Sequence, residues 1–351
     1  MAPMTRSRSP GGVPGPDVAA YYARRAAGGI GLLISEGTWI DHPAAGNRTE
    51  VPRFYGADAL AGWTEVLAAV HEAGGKMMPQ LWHIGMMRPA DTGFHPDAAS
   101  VGPSGLVFSE AGKPCVQASE PLSHKGIVDL VEAYASAAKT AQRLGFDGIE
   151  IHGAHGYLVD QFLWSVTNRR SDAYGGDMSG RVRFATEIVR ECRRRTGPEF
   201  PICFRFSQWK AGDYDAQVVT SAEELGQMVE PLVEAGVDIF HCSVRRYWEP
   251  GFPGSDLSLA GWTRKLSGKP VITVGSVGVD QVFICATMEG QGYQAKAAPL
   301  DRLVKMLEAG EFDLVAVGRA LLANPDWGNK VRAGALGELA PYTPESRETF
   351  Y

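Results

Sequence analysis

The sequence predicts an α/β fold in which parallel strands alternate with helices and close into a (β/α)₈ TIM barrel. Short apolar runs alternate with longer segments of helical periodicity along the 351 residues, which is typical of βαβ units. The apolar runs are almost continuously hydrophobic, as expected for strands that are covered on both faces. The length also suits a single barrel. We therefore expect residues 1–351 to form one domain.

Seven runs have the length and composition of strands, and six segments between them have the pattern of helices. The predicted strands are 30–37, 76–83, 148–153, 201–207, 238–244, 270–275 and 312–318. The predicted helices are 17–27, 57–73, 127–144, 179–194, 222–234 and 300–308. Glycines such as Gly145 and Gly236 follow several helices and predict where they end. Pro79 lies inside its predicted strand and indicates either a bulge or the last turns of that strand.

The N-terminus and two long connections depart from this regular alternation. An eighth strand would have to precede residue 17, and residues 1–5 are too few for a barrel strand and its turn. We therefore expect the first strand to be truncated or missing at the N-terminus. The longest segments without periodicity are 84–125, after the third barrel strand, and 245–257, after the sixth. Both follow strand carboxyl ends, where barrel enzymes build their sites.

Composition and charge narrow the class of protein. The chain is 44% hydrophobic and 21% charged, with a net charge of −6, which predicts a globular protein without a nucleic-acid footprint. Its five cysteines are widely spaced and form no C-x-x-C pair, which disfavours zinc ribbons and iron–sulfur clusters. Neither a signal peptide nor an apolar run of membrane-spanning length is recognisable. We expect a cytoplasmic monomer or homo-oligomer with reduced thiols, a small-molecule substrate, and no membrane or nucleic-acid partner.

Polar residues are unusually frequent at the ends of the predicted strands. In a barrel these ends converge on one mouth, where side chains from different strands can share a site. The residues are Glu36, Gln80, His83, His152, His155, Tyr157, Arg205, Ser207, His241, Ser276 and Arg319. A barrel with a purely structural role would not need so many.

The segment His-Gly-Ala-His-Gly-Tyr, from His152 to Tyr157, is the most informative of these. If it turns helically after its strand, His152 and His155 lie side by side and can direct two N–H donors at one carbonyl oxygen. Tyr157 supplies a weak acid that suits protonation of a carbanion or enolate. Two alternatives stay open: the histidines can be hydrogen-bonded core residues, or metal ligands, although H-x-x-H lacks the spacing and glutamate of zinc proteases.

Glycine-containing turns after the last two strands predict a phosphate site. The first turn contains Gly275 and Ser276, and the second contains Gly318 and Arg319. Barrels often bind phosphate with the loops after strands seven and eight, through backbone N–H groups. Arg319 can add a charged fork. Glycine after a strand is also ordinary turn chemistry, and this alternative stays open.

Two further strand residues point to a bound ligand. Arg205 is flanked by apolar residues in a buried strand, where a guanidinium needs an anion or several acceptors. A structural ion pair inside the barrel is the alternative. Trp82, which follows Gln80 at the end of its strand, can stack on or enclose a planar ligand, or belong to the core.

Motifs along nearly the whole chain resemble the Old Yellow Enzyme family of FMN-dependent ene-reductases. They are Met-Ala-Pro-Met-Thr at 1–5, Ile-Ser-Glu-Gly-Thr at 34–38, Gln-Leu-Trp-His at 80–83, Glu-Ile-His-Gly at 150–153, Asp-Gln-Phe-Leu at 160–163, Thr-Asn-Arg-Arg at 167–170, Asp-Ala-Tyr-Gly-Gly at 172–176 and Gly-Arg at 318–319. The His-x-x-His form is similar to the branch of N-ethylmaleimide and nitrate-ester reductases. Thr5, in place of cysteine, is typical of the classical group.

The resemblance implies an FMN cofactor, NADPH or NADH as hydride donor, no metal, and roles for the matching residues. The implied FMN contacts are Pro3, Met4, Thr5, Gly37, Gln80, Arg205, Gly275, Ser276, Gly318 and Arg319. His152 and His155 would bind the substrate carbonyl, and Tyr157 would donate a proton. We also expect Trp82 and Tyr247 on the substrate side.

The predicted function is reduction of the activated C=C bond of α,β-unsaturated carbonyl compounds by a ping-pong mechanism. One alternative uses the same site as an FMN-dependent oxidase or desaturase of a cyclic ketone in a biosynthetic pathway. Another is a degenerate, non-catalytic barrel that binds a phosphorylated ligand. A metal hydrolase is disfavoured because no carboxylate accompanies the histidine pair at suitable spacing.

Overall fold

The computed structural model describes residues 1–282 and 293–351. The strands in this part of the chain are β1 Leu32–Trp39, β2 Lys76–Trp82, β3 Leu106–Val107, β4 Val116–Gln117, β5 Ile149–His155, β6 Ile202–Lys210, β7 Ile239–Ser243, β8 Val271–Val274 and β9 Leu314–Val315. The helices are α1 Pro16–Ala27, α2 Ala57–Glu72, α3 His124–Leu144, α4 Leu158–Leu163, α5 Met178–Arg181, α6 Arg183–Thr196, α7 Ala222–Ala235, α8 Leu259–Ser267, α9 Asp301–Glu308, α10 Arg319–Ala323, α11 Trp327–Arg332 and α12 Pro344–Glu348.

Seven of these strands form one parallel sheet in the order β1-β2-β5-β6-β7-β8-β9. The first residues of the chain lie between the two edges of this sheet. The Met1 nitrogen donates to the Leu32 carbonyl at 2.6 Å, and Ile34 N donates to the Met1 carbonyl at 3.2 Å. On the other side, Ala2 N donates to the Val317 carbonyl at 2.9 Å. Two residues thus bridge β1 and the end of β9, and the predicted barrel fold is confirmed.

All seven predicted strands are present, although the last is shortened to Leu314–Val315. The bulge expected near Pro79 lies on the neighbouring strand: Ile34 pairs with Met78 and Gly37 pairs with Gln80, so two residues of β1 oppose Pro79. A bulge there accommodates the proline, which has no N–H to donate to the sheet.

The helices differ more from the prediction. The expected helix 179–194 is wrong as a single element, because it is divided at Val182 into α5 and α6. Segment 84–125 contains a small antiparallel pair, β3 and β4. The short helices α4, α10, α11 and α12, and the longer α8, were not predicted. Short helices give too few residues for periodicity to be recognised.

The core has two parts. The larger one packs the outer face of the sheet against the surrounding helices, and includes Trp63, Tyr134 and Phe184. A small second cluster fills the inside of the barrel with residues contributed by the N-terminus and by several strands. Its members are Ala2, Ile34, Met78, Cys203, Ile272 and Ala316. This apolar plug leaves polar side chains to occupy the barrel nearer the carboxyl ends of the strands.

Two further features of the described residues concern membrane-spanning helices and cysteines. No helix in residues 1–282 and 293–351 combines the length and apolar character needed to cross a membrane. Cys115, Cys192, Cys203 and Cys242 are free thiols, as expected, and Cys285 lies outside the described residues.

Candidate active site

A deep cavity opens at the carboxyl ends of the barrel strands, with a volume of about 850 Å³. Cofactor and ligand pockets typically measure roughly 300–1,000 Å³. The predicted site residues that line this cavity are Pro3, Met4, Thr5, Gln80, Trp82, His152, His155, Tyr157, Arg205, Gly275, Ser276, Gly318 and Arg319. The fold therefore brings residues from the whole length of the chain around one space.

His152 and His155 lie together in the cavity wall, with ring centroids 5.2 Å apart and ring planes perpendicular. The helical turn expected to pair them is wrong, because β5 continues through His155. In a regular strand, residues three apart point to opposite faces. Here the pairing with β6 shifts between Gly153 and His155, and His155 adopts the left-handed conformation with φ of 65°. This irregularity brings both rings to the same cavity.

The protonation of His152 follows from its contacts. Ala154 N donates to His152 Nδ1 at 3.3 Å, so Nδ1 is an acceptor and the neutral ring carries its hydrogen on Nε2. Burial, assisted by the charge of Arg205, lowers the pKa of His152 to about 3. Burial likewise lowers the pKa of His155 well below its ordinary value. Both imidazoles are therefore neutral N–H donors near neutral pH.

Ser243 connects His155 to Arg205. His155 Nε2 lies 2.8 Å from Ser243 Oγ, and Arg205 Nη2 donates to the same oxygen at 3.2 Å. Because Arg205 has no acceptor atom, the serine hydroxyl hydrogen is available to His155 Nε2. In that arrangement His155 carries its own hydrogen on Nδ1.

Tyr157 stands edge-on to two aromatic rings. Its ring centroid lies 4.9 Å from that of Trp82 and 5.2 Å from that of His152. Trp82 in turn stacks on Trp39 at 4.4 Å. The Tyr157 carbonyl accepts a hydrogen bond from Gln161 N at 2.7 Å, at the start of α4. Packing and the backbone together hold the Tyr157 ring beside the histidines.

A buried ion pair fixes the turn that carries these side chains. Lys210 Nζ lies 2.9 Å from Asp160 Oδ2, and both side chains are fully buried. Gly156 N donates to the same carboxylate oxygen at 2.6 Å. Lys210 also donates to the carbonyls of Ser207 and Gln208. The pair thus ties the turn after His155 to the end of β6.

Arg205 lies above a buried polar network centred on Glu150. Gln80 Nε2 donates to Glu150 Oε1 at 2.7 Å, and His241 Nδ1 lies 2.6 Å from Glu150 Oε2. Burial alone would raise the pKa of Glu150, but His241, Arg205 and Gln80 together lower it to about 2. Burial lowers the pKa of Arg205, and Glu150 opposes that shift. Glu150 is therefore the anion that balances the Arg205 cation inside the barrel.

The same network contains a possible set of metal ligands. Ligand atoms of Glu150, Cys203 and His241 lie within 4.8 Å of one another. They are engaged with one another, since Cys203 Sγ donates to Glu150 Oε2 at 3.5 Å and His241 contacts the same oxygen. We therefore read the set as the electrostatic support of Arg205.

The N-terminal segment forms part of the cavity wall through Pro3, Met4 and Thr5. It is anchored just beyond Thr5, where Arg6 N and Ser7 N donate to Glu36 Oε2 at 2.8 and 3.0 Å. Burial raises the pKa of Glu36 to about 7, against the lowering effect of these two hydrogen bonds. Glu36 itself does not line the cavity and acts as the anchor of this segment.

The predicted phosphate residues line the cavity on the side opposite His152 and His155. We call Gly275, Ser276, Gly318 and Arg319 the loop wall. Ser276 has the left-handed φ of 54°, which orients the backbone of the turn after β8. Its hydroxyl donates within the protein, to the carbonyls of Arg245 and Gln281. Arg319 contacts the carbonyls of Gln281 and Val282. In this wall the surface offered to a ligand is therefore largely backbone.

Two predicted site residues are not part of the cavity lining. Gly37 packs against Trp82, where an added Cβ would lie 2.3 Å from the indole ring. Tyr247 is buried behind the loop wall, with its N–H donating to the Gly275 carbonyl at 3.1 Å. The expected contacts of Gly37 with FMN and of Tyr247 with substrate stay predictions.

The cavity is also lined by residues that were not predicted from the sequence, among them Trp209, Tyr214, Ser243 and Arg245. Trp209 stacks on His155 with ring centroids 4.2 Å apart. The signal for Trp209 was the alternation of β6, since Arg205 and Trp209 share the parity that faces inward. We call Trp82, His152, His155, Tyr157 and Trp209 the histidine wall.

The cavity suits the FMN that the sequence predicts. Arg205 Nε is buried and has no hydrogen-bond partner in the part of the chain that the structure describes, so a ligand with acceptor atoms beside it would satisfy a costly donor. Trp82 and the histidines offer flat surfaces on one side, and the loop wall offers backbone on the other. Gly318 lies against the N-terminal segment, since an added Cβ would be in ordinary van der Waals contact with Met4 Sδ at 3.6 Å.

Comparison with known proteins identifies the family. The NADH:flavin oxidoreductase / NADH oxidase family model matches residues 1–293. The chain is 35% identical to the NADH oxidase of Thermoanaerobacter brockii over 327 residues, which is 91% of this chain but 46% of that protein. It is 33% identical to 12-oxophytodienoate reductase 7 of Oryza sativa subsp. japonica over 375 residues, covering 100% of this chain and 86% of the relative.

A solved structure agrees with these relatives. The Old Yellow Enzyme homologue from Zymomonas mobilis superimposes with a TM-score of 0.78 at 26% identity, covering 99% of this chain and 91% of that chain. The predicted family, enzyme class, FMN cofactor and nicotinamide hydride donor are thereby confirmed. The chain spans about half the length of the NADH oxidase. This chain belongs to the NADH:flavin oxidoreductase / NADH oxidase family and is an FMN-dependent oxidoreductase of the Old Yellow Enzyme type.

Proposed function

We propose that the enzyme reduces the activated C=C bond of α,β-unsaturated ketones, aldehydes or imides with NAD(P)H, by a ping-pong mechanism in which both substrates use the same cavity. The observation that carries this proposal is the histidine wall. Two neutral imidazoles and the Tyr157 phenol converge on one cavity that also contains Arg205. These are the groups needed to polarise a carbonyl and to deliver a proton.

His152 and His155 bind the carbonyl oxygen of the alkene substrate. Because burial keeps the pKa values of both rings below the ordinary value, they act as uncharged N–H donors. Removing one donor of this kind typically costs about 3–4 kcal/mol of transition-state stabilisation. Tyr157 donates its phenolic proton to the α-carbon, and Trp82 encloses the side of the substrate next to it.

FMN, when bound, would supply the redox chemistry, which is hydride transfer between the nicotinamide and the β-carbon of the alkene. Arg205 and Gln80 would hold the flavin ring, because Glu150 accepts a hydrogen bond from Gln80 and balances the charge of Arg205. Thr5, Pro3 and Met4 line the same cavity and would also contact the ring. The loop wall would hold the FMN phosphate. The contact of Gly37 with the flavin ring stays a prediction.

Steady-state assays under anaerobic conditions test the proposal. Cyclohexenone should accelerate NAD(P)H oxidation and yield cyclohexanone in equal amount. Oxygen consumption with a saturated cyclic ketone, without turnover of the enone, would support the oxidase or desaturase alternative. Failure to bind or reduce FMN would support the degenerate barrel.

We also propose a domain extent and a branch of the family, from the same cavity residues and sequence motifs. We propose that residues 1–351 act as one FMN-binding domain and that the His-x-x-His pair places the enzyme in the N-ethylmaleimide and nitrate-ester reductase branch. The cytoplasmic location, the monomeric or homo-oligomeric state and the lack of a nucleic-acid partner stay predictions. The choice between NADPH and NADH is decided by the same assay.

A further inference from the structure

Arg245 lies in the cavity wall, and the proposed reaction assigns it no role. Its guanidinium carbon stands 3.6 Å from the ring centroid of Tyr214 and 6.0 Å from that of Trp209. Trp209 stacks directly on His155. A single aromatic ring therefore separates the Arg245 cation from the histidine that faces the substrate.

The Arg245 side chain has an unsatisfied donor. Within residues 1–282 and 293–351, its buried Nη1 atom has no hydrogen-bond partner and no carboxylate forms an ion pair with its guanidinium. The neighbouring Arg246 differs, since its Nη1 pairs with Glu249 at 2.7 Å outside the cavity. Arg205 differs as well, because Glu150 balances its charge. A buried donor without a partner costs stability, so Arg245 is placed for a ligand.

The charge of the cavity supports an anionic ligand. Although the chain carries a net charge of −6, the described residues that line the cavity include seven arginines and a single carboxylate, that of Glu348. Both histidines are neutral. A concave surface lined by one sign of charge attracts ligands of the opposite sign. The FMN phosphate would account for part of this charge, on the side of the loop wall.

We propose that Arg245 binds a carboxylate of the substrate, so that the preferred substrates are α,β-unsaturated carbonyl compounds that carry a carboxylate about one aromatic ring away from the carbonyl oxygen. This rests on the proposed function, because it takes the carbonyl to be bound at His152 and His155. Although the Arg245 carbonyl contacts Ser276, its guanidinium packs on Tyr214 and Trp209, beside the histidine wall. That position favours the substrate over either phosphate.

Ligand binding to the FMN-loaded enzyme tests the proposal without turnover. The probes are 4-hydroxybenzoate and 3-(4-hydroxyphenyl)propionate, each paired with its methyl ester, and binding is followed by the change in flavin absorption. The phenol oxygen stands in for the substrate carbonyl oxygen. For at least one pair, Arg245→Gln should weaken binding of the acid by roughly tenfold and leave the ester unchanged. Arg245→Lys should restore part of the loss, and Arg246→Gln serves as the matched control.

The other outcomes separate the sources of the anion. Equal weakening of acid and ester would overturn the proposal and make Arg245 a packing residue. A lower affinity for FMN, or for NADPH but not NADH, with acid binding unchanged, would overturn it in favour of a phosphate. If neither ester binds the wild-type enzyme, the proposed function itself fails, whatever Arg245 does.

Discussion

The two walls of the cavity are built in different ways. The histidine wall presents side chains, which are fixed by ring packing and by the buried pair of Asp160 and Lys210. The loop wall presents mainly backbone, which is shaped by positive φ values at Gly275 and Ser276 and by internal use of its polar side chains. Chemistry should therefore be sensitive to side-chain changes in the first wall, and cofactor affinity to backbone changes in the second.

Removing the Tyr157 hydroxyl should have the largest effect, confined to one half-reaction. General acid catalysis contributes roughly 10²- to 10⁴-fold, so Tyr157→Phe should slow enone reduction by that factor while flavin reduction by NAD(P)H is unchanged. Rapid-mixing absorbance measurements separate the two half-reactions. Tyr134→Phe, at a buried core tyrosine of α3 that does not line the cavity, should change neither. Equal losses in both half-reactions would assign Tyr157 a structural role.

Breaking the buried ion pair should weaken the histidine wall as a structure. Lys210→Met leaves the Asp160 carboxylate buried without its cation, which typically costs about 3–5 kcal/mol. Urea unfolding measures this loss. The double variant Asp160→Leu/Lys210→Met should recover much of it. Arg183→Met, which removes an exposed pair with Glu187, should cost less than about 1 kcal/mol. Similar costs for the buried and exposed pairs would refute the role given to Lys210.

A substitution that displaces the backbone of the loop wall should lower the affinity for FMN. In Gly275→Ala the added Cβ would lie 2.4 Å from the Val244 carbonyl oxygen, so the turn must move. We expect FMN affinity to fall by about tenfold or more, as fluorescence titration of the flavin would show. Gly197→Ala shares the positive φ but has open space around the new Cβ, and its FMN affinity should match the wild type. Unchanged affinity in Gly275→Ala would contradict the loop-wall assignment.

A further effect concerns the pH dependence of stability. The pKa of His152 is about 3 in the folded protein and about 6.5 when unfolded, so acidification favours the unfolded chain, which binds the proton more readily. Between about pH 6 and pH 4, His152 should add about 1.4 kcal/mol per pH unit to the loss of stability. His152→Gln should remove this slope, whereas His95→Gln, at an exposed site, should not. An unchanged slope in His152→Gln would indicate an ordinary histidine.

The sequence predicted the barrel and most of the histidine wall because both depend on local signals. Strand composition locates the strands, and the shared carboxyl-end face then brings Gln80, His152 and Arg205 together. The backbone conformation around His152 and His155 was not predicted. The side-by-side placement of His152 and His155 depends on a left-handed residue and a register shift, which no periodicity encodes.

Polar residues at strand ends also proved ambiguous about their direction. His83 follows directly after β2, yet its Nε2 contacts His42 at 3.0 Å and its Nδ1 accepts from Gly85 N, away from the cavity. Glu36 anchors the N-terminal segment through Arg6 N, and His241 contacts the buried Glu150 carboxylate. The sequence contains no signal for Arg245, because this residue follows β7 in a loop. Side-chain direction in a loop is set by tertiary contacts and not by alternation.

Both walls have a purpose only if FMN lies between them, and a titration of the purified protein with FMN tests this most directly. We expect uptake of one FMN per chain, with flavin absorption that remains with the protein after gel filtration and quenched flavin fluorescence. A protein that stays colourless after incubation with excess FMN would contradict it.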